Sequence, residues 1–447
     1  VQLSNIIQVG KLLDRPEFSS YITTLGRPIV SEIIRTTIDQ YKNHIMEAQR
    51  AVDLDELTAQ ITQQLQLVMR EKTQPVINGT GILVHTNLGR SPINQSIWHQ
   101  ASETVCRYSN LEFSLIDGKR GNRMGMLNRV IRAYFGGDDN VIVNNNAAAV
   151  HLILKAFAIG KEVIISRSEQ VQIGGGFRIP DILEESGAIM KEVGTTNITT
   201  LDDYLNAVTE NTAMVLLVHQ SNYYIEGFTE QVDPKELRKH LPEHVMLVVD
   251  QGSGNQSPLL RDETTVSYYE KLGADIISFS GDKMVGGPQA GIIIGKQEYI
   301  QKIKKHPMMR VFRPGKETYA LLEALLITQL NDKNSAANRT EWALKQPLSW
   351  HKSLAEELAQ KIGNNVKVIK SEFLVGGGTT PKAKYPTYAL EVQSKQSADD
   401  LLTLLRDQPT AIIGVIHQGK VLIYPISLLS SEYDYVAQVL TELKDEQ

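Results

Sequence analysis

Residues 275–291 read DIISFSGDKMVGGPQAG. The first six form an apolar run bounded by glycine, the pattern of a buried strand in a sheet covered on both faces. Gly281, Gly286 and Gly287 then let the backbone turn sharply and approach a ligand. Between them stands Lys283, at a strand's carboxyl end, where open α/β sheets place their ligands. A loop lysine is ordinarily a solvated charge, but one held between an apolar strand and a glycine cluster is positioned for chemistry.

Six more runs of the same kind flank this one: VIVNN, EVIISR, MKEVG, AMVLLVHQ, HVMLVVD and AGIIIG. Helix-length segments separate them, which predicts an α/β fold with a mostly parallel sheet over residues 73–335. Residues 1–72 space their apolar residues by three and four and predict a helical domain. After Ser335 a long helix over about residues 340–363 leads into a small α/β domain, 336–447. There VKVIKSEF, YALEVQS, TAIIGVIH and KVLIYP read as strands and HQGK as a hairpin turn, while Gly376–Thr380 reads as a flexible loop.

The chain has 447 residues, 42% of them apolar, and a net charge of −5. That is ample for a packed core, and any nucleic-acid partner must be met by a local patch. Lys302, Lys304, Lys305, Arg310, Arg313 and Lys316 form one such patch, with Lys119, Arg120 and Arg123 nearby in kind, although a solvated positive face explains the lysines equally well. One cysteine, Cys106, excludes an internal disulfide and a multi-cysteine metal centre, and its amphipathic surroundings predict a buried structural thiol. No apolar run approaches a membrane span and the first residues lack a secretory pattern, so the expectation is a soluble, cytoplasmic protein.

An amine beside a phosphate cradle and a buried carboxylate is what pyridoxal phosphate requires, and the sequence offers a candidate for each part. Lys283 is the amine, with the Ser280 hydroxyl for the phosphate. Asp250 closes HVMLVVD before QGSG and can pair with the protonated pyridine nitrogen, although an aspartate capping a turn would look the same. NNNAAAV runs into an alanine-rich helix whose first turn, at Asn146, Ala147 and Ala148, can hold a phosphate on its free N–H groups. An ordinary N-cap needs no such function.

The motifs resemble, in order and over nearly the whole chain, those of bacterial selenocysteine synthases, the L-seryl-tRNA selenium transferases of fold type I, and their paralogues. They are INGTGILVHTNLGR (77–90), SNLEF (109–113), RGNR (120–123), VNNNAAAV (143–150), GGGFRIPDI (174–182), EVGTTN (192–197), SNYYIEGF (221–228), DQGSG (250–254), FSGDKMVGGPQAGIIIGK (279–296) and HPMMRVFR (306–313). The resemblance implies a pyridoxal-phosphate fold of the aspartate aminotransferase type, with Lys283 as the cofactor lysine, Asp282 beside it and Asp250 as the pyridinium partner. It also implies active-site arginines at Arg90, Arg310 and Arg313, and Asn222 at the cofactor's phenolic oxygen. The implied reaction converts seryl-tRNA(Sec) to selenocysteinyl-tRNA(Sec) with selenophosphate through an aminoacrylyl intermediate, in a homo-oligomer built from dimers.

Some positions depart from that pattern. Gln170 and Gln172, FRPGK (312–316) and LIYPISL (422–428) differ from it, and residues 1–72 carry eight Lys and Arg against nine Asp and Glu, a weak footprint for RNA. Two other readings therefore stand beside the first. One is a pyridoxal-phosphate lyase or transferase acting on a free amino acid or a phosphorylated amino sugar; the other is a non-catalytic binder that kept the fold.

Overall fold

The structure is a computed structural model and describes residues 8–173, 176–220, 222–380 and 382–443. Residues 1–7, Gly174 and Gly175 of GGGFRIPDI, Ser221 of SNYYIEGF, Pro381 and 444–447 lie outside the described residues. The chain forms two compact units, Val1–Pro75 and Val76–Gln447. The two α/β parts that the sequence separates at Ser335 thus belong to one unit.

In the first unit, helices Arg27–Glu47 and Leu54–Glu71 pack together. Val30, Ile34, Ile38 and Ile45 meet Leu57, Ile61 and Leu65, all within 4% of full burial, as three-and-four spacing demands. Asp53 caps the second helix by accepting from the amides of Asp55 and Glu56.

The core of the second unit is a seven-stranded sheet. Its spatial order is Asp139–Val143, Gly291–Gly295, Ile276–Ser280, Met246–Gly252, Thr212–Val218, Glu162–Ser166 and Ile189–Val193. All seven apolar runs are strands. Gly291–Gly295 runs antiparallel to both neighbours and the remaining pairs are parallel. Alternate residues enter two different cores, Leu247 and Val249 on one face and Met246 and Val248 on the other, so continuous apolar runs are needed.

Val143 and Ser280 both register with Gly291, so Asn144–Asn146 and Ser280–Lys283 leave the sheet at one edge. The carboxyl ends of Met246–Gly252 and Thr212–Val218 lie at that edge too, because those strands run parallel to Ile276–Ser280. Gly281 is required in the turn, since a Cβ there would come within 2.5 Å of the Pro288 carbonyl oxygen.

The C-terminal part carries a four-stranded antiparallel sheet ordered Val366–Leu374, Lys384–Val392, Lys420–Ile423 and Val415–His417. Gln418 and Gly419 make the hairpin turn with φ of 49° and 75°. Two expectations fail here. The long helix is two, Arg339–Lys345 and Leu348–Ile362, because Pro347 forces Gln346 to extended backbone and supplies no N–H. TAIIGVIH is interrupted at Gly414 into Ile412–Ile413 and Val415–His417.

Cys106 is exposed, contrary to the buried thiol expected. It follows the last turn of helix Gln95–Val105, beyond the face that Ile97 and Ala101 bury. Among the described residues no helix is long and apolar enough to cross a membrane.

Candidate active site

Lys283 emerges from strand Ile276–Ser280, and its amine donates to the Gly378 carbonyl oxygen at 3.4 Å. Burial is the first cause lowering its pKa, followed by the positive charge of Arg90; Asp250, Asp282 and Glu263 oppose the shift. The loop read as flexible packs onto this site, with Thr379 and Thr380 buried.

Asp250 is buried at the end of the adjacent strand, and its Oδ1 accepts from Asn146 Nδ2 at 2.8 Å. Burial pushes its pKa up, against the Asn146 hydrogen bond and the Lys283 charge. Ser280, 5% exposed, shares this edge.

Asp282 turns away from the sheet to meet Arg90, Nη1 to Oδ2 at 2.8 Å, and its other oxygen is buried without a partner. The Ser91 amide donates to the Asp282 carbonyl at 3.1 Å. Arg90 sits at φ 64°, a left-handed conformation that an arginine adopts at a cost of roughly 1–3 kcal/mol. From there its side chain reaches the residue beside Lys283.

Other expected site residues lie elsewhere or are otherwise engaged. The Ala148 amide is not free for a phosphate, because Asn145 is the N-cap of helix Asn146–Phe157 and accepts from it at 2.8 Å. Ala147 remains at that first turn, and Asn146 points its amide at Asp250. Asn222 is exposed and donates to the Gln172 carbonyl at 2.7 Å, four residues past the strand end at Val218. The structure does not bring it to Asp250 or Lys283.

Arg310 and Arg313 line a cavity of about 610 Å³ with Arg120, Arg123, Lys304 and His306. Glu112 gathers this group, accepting from Arg123 and lying 3.4 Å from Arg120 and from Arg313. Among the described residues no hydrogen bond or ion pair joins Arg310 or Arg313 to Arg90, Asp282 or Lys283. Within one chain the three arginines are in two places.

Two groups at the site escaped the sequence reading. His219 follows strand Thr212–Val218 directly, and its Nε2 lies 2.9 Å from the Thr379 carbonyl, which can only accept. The ring therefore donates from Nε2, and burial lowers its pKa against the Thr379 hydrogen bond, with the Lys283 charge adding to the lowering. Glu263, fully enclosed, accepts from Gln251 Nε2 at 2.9 Å and from the Ser253 hydroxyl, and lies 3.8 Å from His219 Nε2. Burial pushes its pKa up to about 7. The strand-end position of His219 was a usable signal; for Glu263, in RDETT, none existed.

The mixed seven-stranded sheet, with Lys283, Asp250 and the N-terminus of helix Asn146–Phe157 on one edge, has the architecture of the fold type I class. A solved D-glucosaminate-6-phosphate ammonia-lyase shares the fold at a TM-score of 0.60, covering 84% of this chain and 97% of its own at 18% identity. The family model for L-seryl-tRNA selenium transferase matches residues 76–428. An L-seryl-tRNA(Sec) selenium transferase from Alkaliphilus oremlandii is 38% identical, with 98% of each chain covered. One from Carboxydothermus hydrogenoformans is 37% identical over 98% of this chain and 97% of its own. The chain belongs to the L-seryl-tRNA selenium transferase family.

Proposed function

We propose that this protein is a pyridoxal-phosphate-dependent transferase that converts seryl-tRNA(Sec) to selenocysteinyl-tRNA(Sec) with selenophosphate. The observation that carries the reading is the convergence of Lys283, Asp250 and the Arg90–Asp282 pair on one sheet edge, in a chain aligned end to end with transferases of that name.

The residues fit the cofactor. Asp250 is a buried carboxylate with no cation within ion-pair distance among the described residues, and Asn146 Oδ1 beside it is buried without a partner. A protonated ring nitrogen would relieve that burial cost, and the Ser280 hydroxyl with the Ala147 amide would hold the phosphate. When bound, the cofactor supplies an electron sink for a carbanion at the substrate's α-carbon. Lys283, its pKa lowered by burial, serves as the base that takes the α-proton. Asp282 holds Arg90 in place, and Arg90 with Arg310 and Arg313 supplies guanidinium groups suited to selenophosphate.

Because Arg310 and Arg313 lie apart from Lys283 in one chain, the reading includes a homo-oligomer in which a second copy brings them to the site. Tyr108, Leu115, Ile116 and Val311 are each more than 60% exposed, apolar side chains that such a contact would cover. The deciding experiment supplies purified protein with seryl-tRNA(Sec) and selenophosphate and looks for selenocysteinyl-tRNA. Turnover of a free amino acid or amino-sugar phosphate, without turnover of seryl-tRNA, would replace this reading with the lyase.

A further inference from the structure

A cavity of about 90 Å³ that Lys283 and Asp282 do not line is bounded among others by Asn78, Arg90, Arg339, Thr340, Ser427 and Glu432. Arg339 Nη2 donates to the carbonyls of Ile426 and Leu428 at 2.8 and 3.0 Å, and its guanidinium stacks over Trp342 at 4.7 Å. Its Nη1 is buried and has no partner.

Arg339 forms no ion pair among the described residues. The one carboxylate lining the cavity, Glu432, accepts from the Leu429 amide at 2.8 Å instead. Tyr433 and Glu432 are near enough to favour the charge on Arg339, but burial is the larger effect and works against it. A partly buried guanidinium with an idle N–H and no carboxylate within ion-pair distance is costly, and an anion at that N–H reduces the cost. Arg90, whose Nη1 donates to Asp282, also lines this cavity.

We propose that this cavity binds a small oxyanion, a carboxylate or phosphate group, through Arg339 Nη1 and Arg90. The room suffices: a water needs roughly 10–15 Å³ of such space, so about 90 Å³ admits a small anion together with waters. Because Arg90 also holds Asp282, occupancy here is coupled to the Lys283 site. The inference concerns binding and does not rest on the transferase reading.

The test uses the full-length protein and its tryptophan fluorescence, since Trp342 lies against Arg339. Inorganic phosphate and acetate are titrated separately. Saturable quenching or enhancement by one of them is expected, and whichever saturates identifies the group. Arg339→Gln should weaken that binding about tenfold or more, the scale of one charged hydrogen bond. Glu432→Gln, which removes the negative charge lining the cavity and keeps an acceptor for Leu429, should strengthen it. Arg313→Gln should leave it unchanged. If neither anion saturates, or if Arg339→Gln and Glu432→Gln both bind as the parent does, the site does not exist. Loss in Arg313→Gln instead would place the anion in the other cavity and equally overturn the proposal. Should Arg339→Gln not fold, the sign of the Glu432→Gln effect decides alone.

Discussion

Arg90 and Asp282 are 192 residues apart in the chain and 2.8 Å apart in the fold. Removing either leaves the other partly buried without its charge partner, and the pair stands beside Lys283. Arg90→Ala and Asp282→Asn should each lower kcat/KM by about 10- to 100-fold, the scale of a lost charged hydrogen bond. The double variant should be little worse than either single one. Additive losses would mean that the two act independently and that the contact is incidental.

Lys283 should carry the cofactor. The protein reconstituted with pyridoxal phosphate is expected to be yellow, and borohydride should bleach it and leave a pyridoxyl group on this residue. Lys283→Ala should not be labelled. Peptide mapping checks this, and a label on any other lysine refutes the assignment.

Asp250→Asn should keep the fold and still admit the cofactor, because an amide fills the same space and keeps a partner in Asn146. Turnover should fall by about two orders of magnitude or more, since an amide cannot stabilise a protonated ring nitrogen as a carboxylate does. Normal turnover in this variant would make Asp250 a turn residue.

Glu263 should leave a signature in the stability of the cofactor-free protein. Its folded pKa, about 7, lies above the ordinary 4.5, so the folded state binds the proton more tightly than the unfolded state. The associated stability is fully present below pH 4.5 and is lost as pH rises through about 7. The stability at stake is on the order of 3 kcal/mol. Thermal unfolding at pH 5 and pH 8 should show a smaller decline for Glu263→Gln than for the parent chain, and equal declines would exclude a buried proton there.

Arg313 separates transferase from lyase. If it serves selenophosphate, Arg313→Ala should spare exchange of the substrate's α-proton with solvent deuterium while abolishing selenium transfer. A lyase whose one substrate carries the anion should instead show a raised KM from the start, because a charged bond of about 1.5–3 kcal/mol is lost in initial binding. Deuterium incorporation and selenium transfer, measured on the same preparation, distinguish the two.

The strands were legible in the chain because burial on both faces of a parallel sheet leaves no room for polar residues, and the runs around Val248 and Ile277 show this directly. Lys283 and Asp250 were legible for a related reason: a charge closing such a run must leave the sheet at its ligand edge. Local pattern failed wherever one nearby residue redirected the chain or took the bond. Pro347 divided a helix, Asn145 took the Ala148 amide, and the turn after Val218 carried Asn222 to the surface. The separation of Arg90 from Arg310 and Arg313, the placement of Glu263 under His219 and the idle nitrogen of Arg339 were decided by the tertiary structure alone. Each depends on contacts between segments distant in the chain, and a charged side chain in a loop carries no local mark of the partner that folding brings to it.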